Sequence, residues 1–177
     1  MKKAMAPSSD SGRRVSFALC DTSLGVALIG VSAQGLCALM LGDEREALLR
    51  EARARFPGAE PCAGNEEIES VARLALDMIE QPGQSWDLPL DIEGTPFQRR
   101  VWRALREIPP GSTTSYAQVA ERIGQPGAAR AVAGACAANG IAVAIPCHRV
   151  VRGDGALSGY RWGVARKREL LAREAAA

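Results

Sequence analysis

The sequence predicts a mixed α/β protein in two parts, an N-terminal α/β unit over residues 14–92 and a mainly helical unit over 93–177. Three observations carry this. Apolar runs with strand character fill residues 15–41, and two stretches of helical period follow them. Beyond residue 93 the chain changes to short, capped helices separated by Pro-Gly breaks. A chain of 177 residues can bury a sizeable core, as one large domain or two small ones.

Residues 1–13 are polar and small, and read as a disordered leader or a linker remnant. Val15, Phe17 and Leu19 alternate as in a strand. The apolar runs 26–31 and 36–41 follow, with SAQG between them at a hairpin turn. Asp43 with Glu46 resembles a capping box that opens a helix to about Phe56, where Pro57-Gly58 stops it. Ile68, Val71, Ala72, Ala75, Met78 and Ile79 keep helical spacing up to Gln81-Pro82-Gly83. Trp86, Leu88, Leu90 and Ile92 then alternate and predict a further strand.

In the second half, Thr95-Pro96 supplies an N-cap and a proline at the first helical position. Phe97, Val101, Leu105 and Ile108 form one apolar face, ended by Pro109-Pro110-Gly111. Ser115 and Gln118 form a capping box for a helix that runs to Ile123, with Gly124 as its stop. After Gln125-Pro126-Gly127 another helix fits residues 128–138. Two short helices about such a turn make a helix-turn-helix pattern, which also occurs in ordinary cores. The second helix, AARAVAGACAA, offers no long polar side chain for reading base edges in the major groove. Its small residues, Ala129, Ala131 and Gly134 among them, let a backbone approach a surface closely. With Arg130 as the single charge, this suits a sequence-indifferent DNA contact; the alternative is a tightly packed buried helix.

Charge is uneven: residues 1–90 carry 9 Lys/Arg against 13 Asp/Glu, and residues 91–177 carry 13 against 7. Either the basic half faces a polyanion such as DNA, or the surface simply varies. The five cysteines are scattered, never in a CxxC pair, and the chain has one histidine, which argues against a structural zinc site. No apolar run is long enough to span a bilayer and the start lacks a signal-peptide core, so a reducing cytoplasm is the expected setting.

Chemistry concentrates in IAVAIPCHRVV, residues 141–151, where Cys147 stands beside His148, the sole histidine. A thiol is nucleophilic as thiolate, and an imidazole can lower its pKa or accept its proton. On an extended segment the two side chains would point to opposite faces, so a bridging water is expected between them. A buried structural cysteine is the competing reading. The other four cysteines read as small core or surface residues.

PCHRV, followed by RGDGALSGYRWGVARKRELLARE, resembles the methylated-DNA–protein-cysteine methyltransferase family, and within it the C-terminal part of the Ada-type adaptive-response proteins. The likeness continues upstream through LPLDIEGTPFQRRVWRALREIPPGSTTSYAQVAERIGQP and AARAVAGACAANG, with a weaker one over residues 15–60. The resemblance implies a ribonuclease-H-like N-terminal domain and a winged-helix-like, DNA-binding C-terminal domain. It implies that Cys147 accepts an alkyl group from the O6 oxygen of guanine, and potentially from O4-alkylthymine, in double-stranded DNA. His148 would be general base through a water, and Glu174 the carboxylate behind it. Arg130 would fill the gap left by a flipped base, and Tyr116 would help rotate the nucleotide and donate to the departing guanine. Asn139 would form the hinge before the active-site strand. Tyr160, Arg161 and Val150 would wall the guanine pocket through main-chain groups, although some relatives carry serine at the position of Arg161. No metal or organic cofactor is implied, and a monomer is expected. The competing functions are a non-enzymatic binder of alkylated DNA, a turnover thiol hydrolase, and a regulatory fragment of an Ada-like transcription factor.

Overall fold

The computed structural model describes residues 14–61 and 65–177; the leader and Cys62 lie outside them. Strands β1 (Val15–Thr22), β2 (Gly25–Ser32) and β3 (Gly35–Gly42) form an antiparallel meander. Helix α1 (Arg45–Arg55) then leads to β4 (Glu60–Pro61), which pairs parallel to β1, giving the sheet order β3-β2-β1-β4. Helix α2 (Glu66–Glu80) completes this region, capped by Asn65, whose side chain accepts from the N–H groups of Glu67 and Ile68.

Both faces of the sheet are covered, which is why β2 and β3 read as continuous apolar runs rather than alternating ones. Val26, Leu28, Ala38 and Met40 pack with Leu48 and Ala52 of α1 on one face. Ala27, Ile29, Leu39 and Leu41 pack with Ala72, Ala75 and Ile79 of α2 on the other. A bulge shifts the register where Gly30 pairs with Ala38 but Val31 pairs with Leu36, leaving Cys37 as the extra residue.

Three expectations change here. Helix α1 is preceded by Glu44, which makes no side-chain cap bond; Asp43 instead accepts from Arg166 Nη2 at 2.6 Å. Residues 86–92 do not form a strand element. They run alongside β3 through one bridge, Leu36 N–H to Pro89 O and Asp91 N–H to Leu36 O, both 2.8 Å. Pro89 has no N–H, so a regular ladder cannot propagate through it. Residues 141–146 likewise form a single bridge and a turn rather than a strand.

The helical region comprises α3 (Pro96–Arg106), β5 (Thr114–Ser115), α4 (Tyr116–Arg122), α5 (Ala129–Ala138), a 3₁₀ turn (Cys147–Arg149), β6 (Val150–Val151) and α6 (Val164–Ala175). Thr95 with Gln98 and Ser115 with Gln118 each form a complete capping box. Gly124 ends α4 with φ +74°, the left-handed conformation that favours glycine. Helices α4 and α5 are the expected helix-turn-helix pair. Val101, Trp102, Leu105, Val119, Val132 and Ala135 join the α2 side of the sheet in one continuous core.

Two hydrogen bonds hold the region before Cys147 against the sheet. Leu39 N–H donates to Gly140 O (3.0 Å) and Ala142 N–H donates to Leu39 O (2.8 Å), so the open edge of β3 is paired. Arg166 of α6 reaches Leu24 O at 2.7 Å and Trp162 O at 2.9 Å. Among the described residues no helix is long and apolar enough to cross a membrane.

Candidate active site

Helix α5 ends at Asn139, whose side chain is fully buried and wholly used. Its Nδ2 donates to Ile145 O (2.9 Å) and to Cys147 Sγ (3.2 Å), and its Oδ1 accepts from Ile141 N–H (2.9 Å). One amide therefore closes the turn 141–146 and holds the sulfur. Within that turn Val143 has φ +63°, a left-handed conformation that strains a β-branched residue by about 1–3 kcal/mol. Trp102 Nε1 donates to Ala135 O (2.9 Å), anchoring the last turn of α5 just before the asparagine.

Cys147 opens a 3₁₀ turn, in which successive side chains are set about 120° apart, so the opposite-face argument for Cys147 and His148 does not apply. His148 Nε2 lies 2.7 Å from Glu174 Oε1, with both side chains buried. Arg149 grips the same carboxylate, its Nε 3.1 Å from Oε1 and 3.0 Å from Oε2 and its Nη2 2.8 Å from Oε1, while its Nη1 donates to Ile108 O at 2.6 Å. Gly111 N–H adds a bond to Glu174 Oε2 at 3.2 Å.

Burial alone would raise the Glu174 carboxyl, but the hydrogen bonds and charges of His148 and Arg149 outweigh it and hold it at about 2. Burial lowers the His148 imidazole, only partly opposed by Glu174. An ionised carboxylate can only accept, so Nε2 carries the proton and Nδ1 is the basic nitrogen. Nδ1 is buried and has no hydrogen-bond partner among the described residues. Burial pushes the Cys147 thiol up to about 11, against the Asn139 hydrogen bond and the Lys167 charge. Burial thus favours the thiol in the free protein, so the imidazole has a proton to accept.

Cys147 lines a cleft of about 450 Å³. Tyr116, Ala133, Cys136 and Ala137 line it together with the loop Ser158–Arg161. Burial raises the Tyr116 phenol, so it stays a donor at neutral pH; its hydroxyl is hydrogen-bonded to Ser158 Oγ. Tyr160 stacks edge-on against Trp162 with centroids 5.3 Å apart.

The 6-O-methylguanine DNA methyltransferase DNA-binding domain matches residues 96–176. The inducible methylated-DNA–protein-cysteine methyltransferase of Bacillus subtilis (strain 168) is 36% identical over 155 residues, covering 88% of this chain and 82% of that relative. The chain belongs to the methylated-DNA–protein-cysteine methyltransferase family. It is also 52% identical over 161 residues to the bifunctional transcriptional activator/DNA repair enzyme Ada of Escherichia coli (strain K12), covering 91% of this chain but 46% of Ada. The chain thus spans about half the length of that relative. The crystal structure of Mycobacterium tuberculosis OGT in complex with DNA matches with a TM-score of 0.75 at 34% identity, covering 91% of this chain and 93% of that one.

The fold brings Cys147, His148, Glu174, Asn139, Tyr116, Tyr160 and Arg161 together. Arg161 lines the cleft, donates to Ala137 O at 3.1 Å and pairs with Glu51 of α1. Val150 stands behind the cleft in β6, its carbonyl accepting from Lys167 Nζ at 2.6 Å. Arg130, Ala131 and Gly134 are exposed on α5 and Ala129 is half-buried. Two members of the site were missed: Arg149 and Lys167, the latter with no exposure at all. A signal existed for the lysine, since Lys167, Leu170 and Glu174 share one helical face.

Proposed function

We propose that this protein is a single-turnover DNA-repair protein that moves an alkyl group from the O6 oxygen of guanine in double-stranded DNA onto Cys147 and is consumed. The reading rests on one observation: the Cys147 thiol lines an open cleft, held by Asn139, and the next residue, His148, is backed by the Glu174 carboxylate.

A guanine stacked in a duplex cannot reach a thiol in a cleft, so the nucleotide must be flipped out. The small exposed residues Ala131 and Gly134 of α5, with the half-buried Ala129 near them, suit close approach to the minor groove, and the exposed Arg130 would enter the stack. With the base in the cleft, the Cys147 proton passes through a water to His148 Nδ1, and Glu174 stabilises the imidazolium. Sulfur attacks the alkyl carbon, the C–O6 bond breaks with its electron pair on oxygen, and the base takes a proton from Tyr116. The product is a thioether. It has no carbonyl for water to attack and its thiolate is a poor leaving group, so the step is not reversed. Neither metal nor cofactor has a part in this chemistry.

The same proposal covers the architecture: residues 14–92 as a ribonuclease-H-like domain and residues 93–177 as a winged-helix-like DNA-binding domain. Support comes from the meander with β4 parallel to β1, and from the α4–α5 pair beside the small β5–β6 sheet.

The test is to mix the protein with an excess of duplex containing O6-methylguanine and map the added methyl by peptide mass spectrometry. One equivalent on Cys147 is expected. Tight binding without transfer would make the protein a recogniser of alkylated DNA, and many equivalents converted would make it a turnover enzyme.

A further inference from the structure

Lys167 is wholly buried, and none of the described carboxylates bonds to it. Its Nζ donates to Val150 O at 2.6 Å and to Ser158 Oγ at 3.2 Å. Ser158 Oγ is in turn bonded to the Tyr116 hydroxyl. Unpaired lysines are rarely buried, because removing an ammonium from water is unfavourable. A position needing only bulk would be filled by leucine or methionine.

Building on the alkyl-transfer reading, we propose that Lys167 and Ser158 are positioning residues whose hydrogen-bond chain aims the Tyr116 proton into the cleft and replaces it as guanine departs. Two hydroxyls bonded to each other can run in either direction, since each donates and accepts. An ammonium only donates, so Ser158 Oγ accepts from Lys167 and its own proton turns to Tyr116. Tyr116 is then the acceptor in that bond, and its proton is left for the cleft that it lines.

The protons balance. As sulfur bonds to carbon and the C–O6 pair moves to oxygen, the guanine anion takes the Tyr116 proton. Tyr116 takes the Ser158 proton, and Ser158 takes one from Lys167, which becomes neutral. The thiol proton has meanwhile gone to His148. One buried cation is formed as another is discharged, so the interior never holds an extra charge. Burial, which lowers the Lys167 pKa, eases its discharge.

The experiment compares Ser158→Ala, Ser158→Thr, Lys167→Met and Lys167→Arg with the unaltered protein by single-turnover transfer from O6-methylguanine duplex. DNA affinity, thermal unfolding and methylation of Cys147 by iodomethane are measured alongside. Iodide leaves without a proton, so alkylation by iodomethane does not use the chain. Ser158→Ala is expected to slow transfer from guanine roughly tenfold or more, with affinity and iodomethane reactivity within about twofold of the unaltered protein. Ser158→Thr restores the rate, and the pH profile loses the Lys167 limb in both Lys167→Met and Lys167→Arg, because neither a thioether nor a guanidinium gives up a proton. Equal slowing of both methyl donors in Ser158→Ala, or unchanged transfer from guanine, overturns the chain. Absence of transfer by the unaltered protein would instead defeat the alkyl-transfer reading itself.

Discussion

His148 Nε2 and Glu174 Oε1 stand 2.7 Å apart with neither side chain exposed, and the carboxylate is shared with Arg149, the next residue along the chain. This makes Glu174 a structural and a chemical partner at once. Glu174→Ala leaves a buried guanidinium without its counter-charge and is expected to lower stability by about 3–5 kcal/mol. Glu174→Gln keeps the volume, so it is expected to unfold at a higher temperature than Glu174→Ala while still transferring alkyl groups far more slowly than the unaltered protein. Thermal unfolding and single-turnover rates on both variants check the separation.

The same carboxyl makes stability depend on acid. Its folded pKa, about 2, lies below the unfolded value of roughly 4.3. A depressed carboxylate stabilises the fold fully above the unfolded pKa, and that stabilisation is lost as pH falls toward the folded one. Stability of the protein should fall by a few kcal/mol between about pH 5 and pH 2, and by distinctly less in Glu174→Gln. Equal acid sensitivity in both proteins would assign the loss to other carboxylates.

Most of the helical framework was legible because its signals are local. Thr95-Pro96, Ser115 with Gln118, and Gly124 each act within one turn of helix, and the structure carries all three caps. What escaped depends on contacts distant in sequence. Asp43 looks like a cap until Arg166 claims it across the fold. Trp86 to Ile92 alternate as a strand would, but Pro89 allows only one bridge with β3. The lysine at 167 reads as surface by type, and only folding brings Val150 O and Ser158 Oγ to it. Cys147 and His148 were recognisable by type and neighbourhood. The sulfur's protonation state was not, because it follows from burial under α5.

With burial pushing its pKa up to about 11, the Cys147 thiol of the free protein stays mostly protonated at pH 7. Raising the pH populates the reactive form. Alkylation of Cys147 by iodoacetamide should therefore be slow at neutral pH and climb steadily from about pH 8 to pH 11. Site-resolved mass spectrometry distinguishes it from the partly exposed Cys20. A plateau reached by pH 7 would show that the free site already holds a thiolate.

Asn139 gathers three interactions in a fully buried position, so its substitutions separate geometry from charge. Asn139→Ala leaves the Ile141 N–H unsatisfied, at a cost of about 1–3 kcal/mol, while Ile145 O keeps its bond from Cys147 N–H at 2.8 Å. Asn139→Asp restores an acceptor for Ile141 but places a negative charge beside Sγ, which raises the thiol further. Transfer should be slow in both variants, and the rise in iodoacetamide reactivity should move to higher pH in Asn139→Asp. An unchanged pH profile there would mean that residue 139 does not govern the sulfur.

Gly134 decides between the two readings of α5. A Cβ added there meets nothing within 4 Å, so the protein itself gives no reason for glycine in mid-helix. Replacing an interior helical glycine by alanine ordinarily stabilises by about 1 kcal/mol. Gly134→Ala should therefore raise the unfolding temperature. If the helix backbone approaches DNA through this face, the added methyl stands between them, and Gly134→Leu more so. The expected outcome is a graded loss of duplex affinity from Gly to Ala to Leu, with iodomethane still reaching Cys147 as before. Arg130→Ala, on the same exposed face, should slow repair of the duplex more than reaction with free O6-methylguanine base. Binding that is indifferent to residue 134, together with equal slowing of both substrates in Arg130→Ala, would remove this face from the DNA interface.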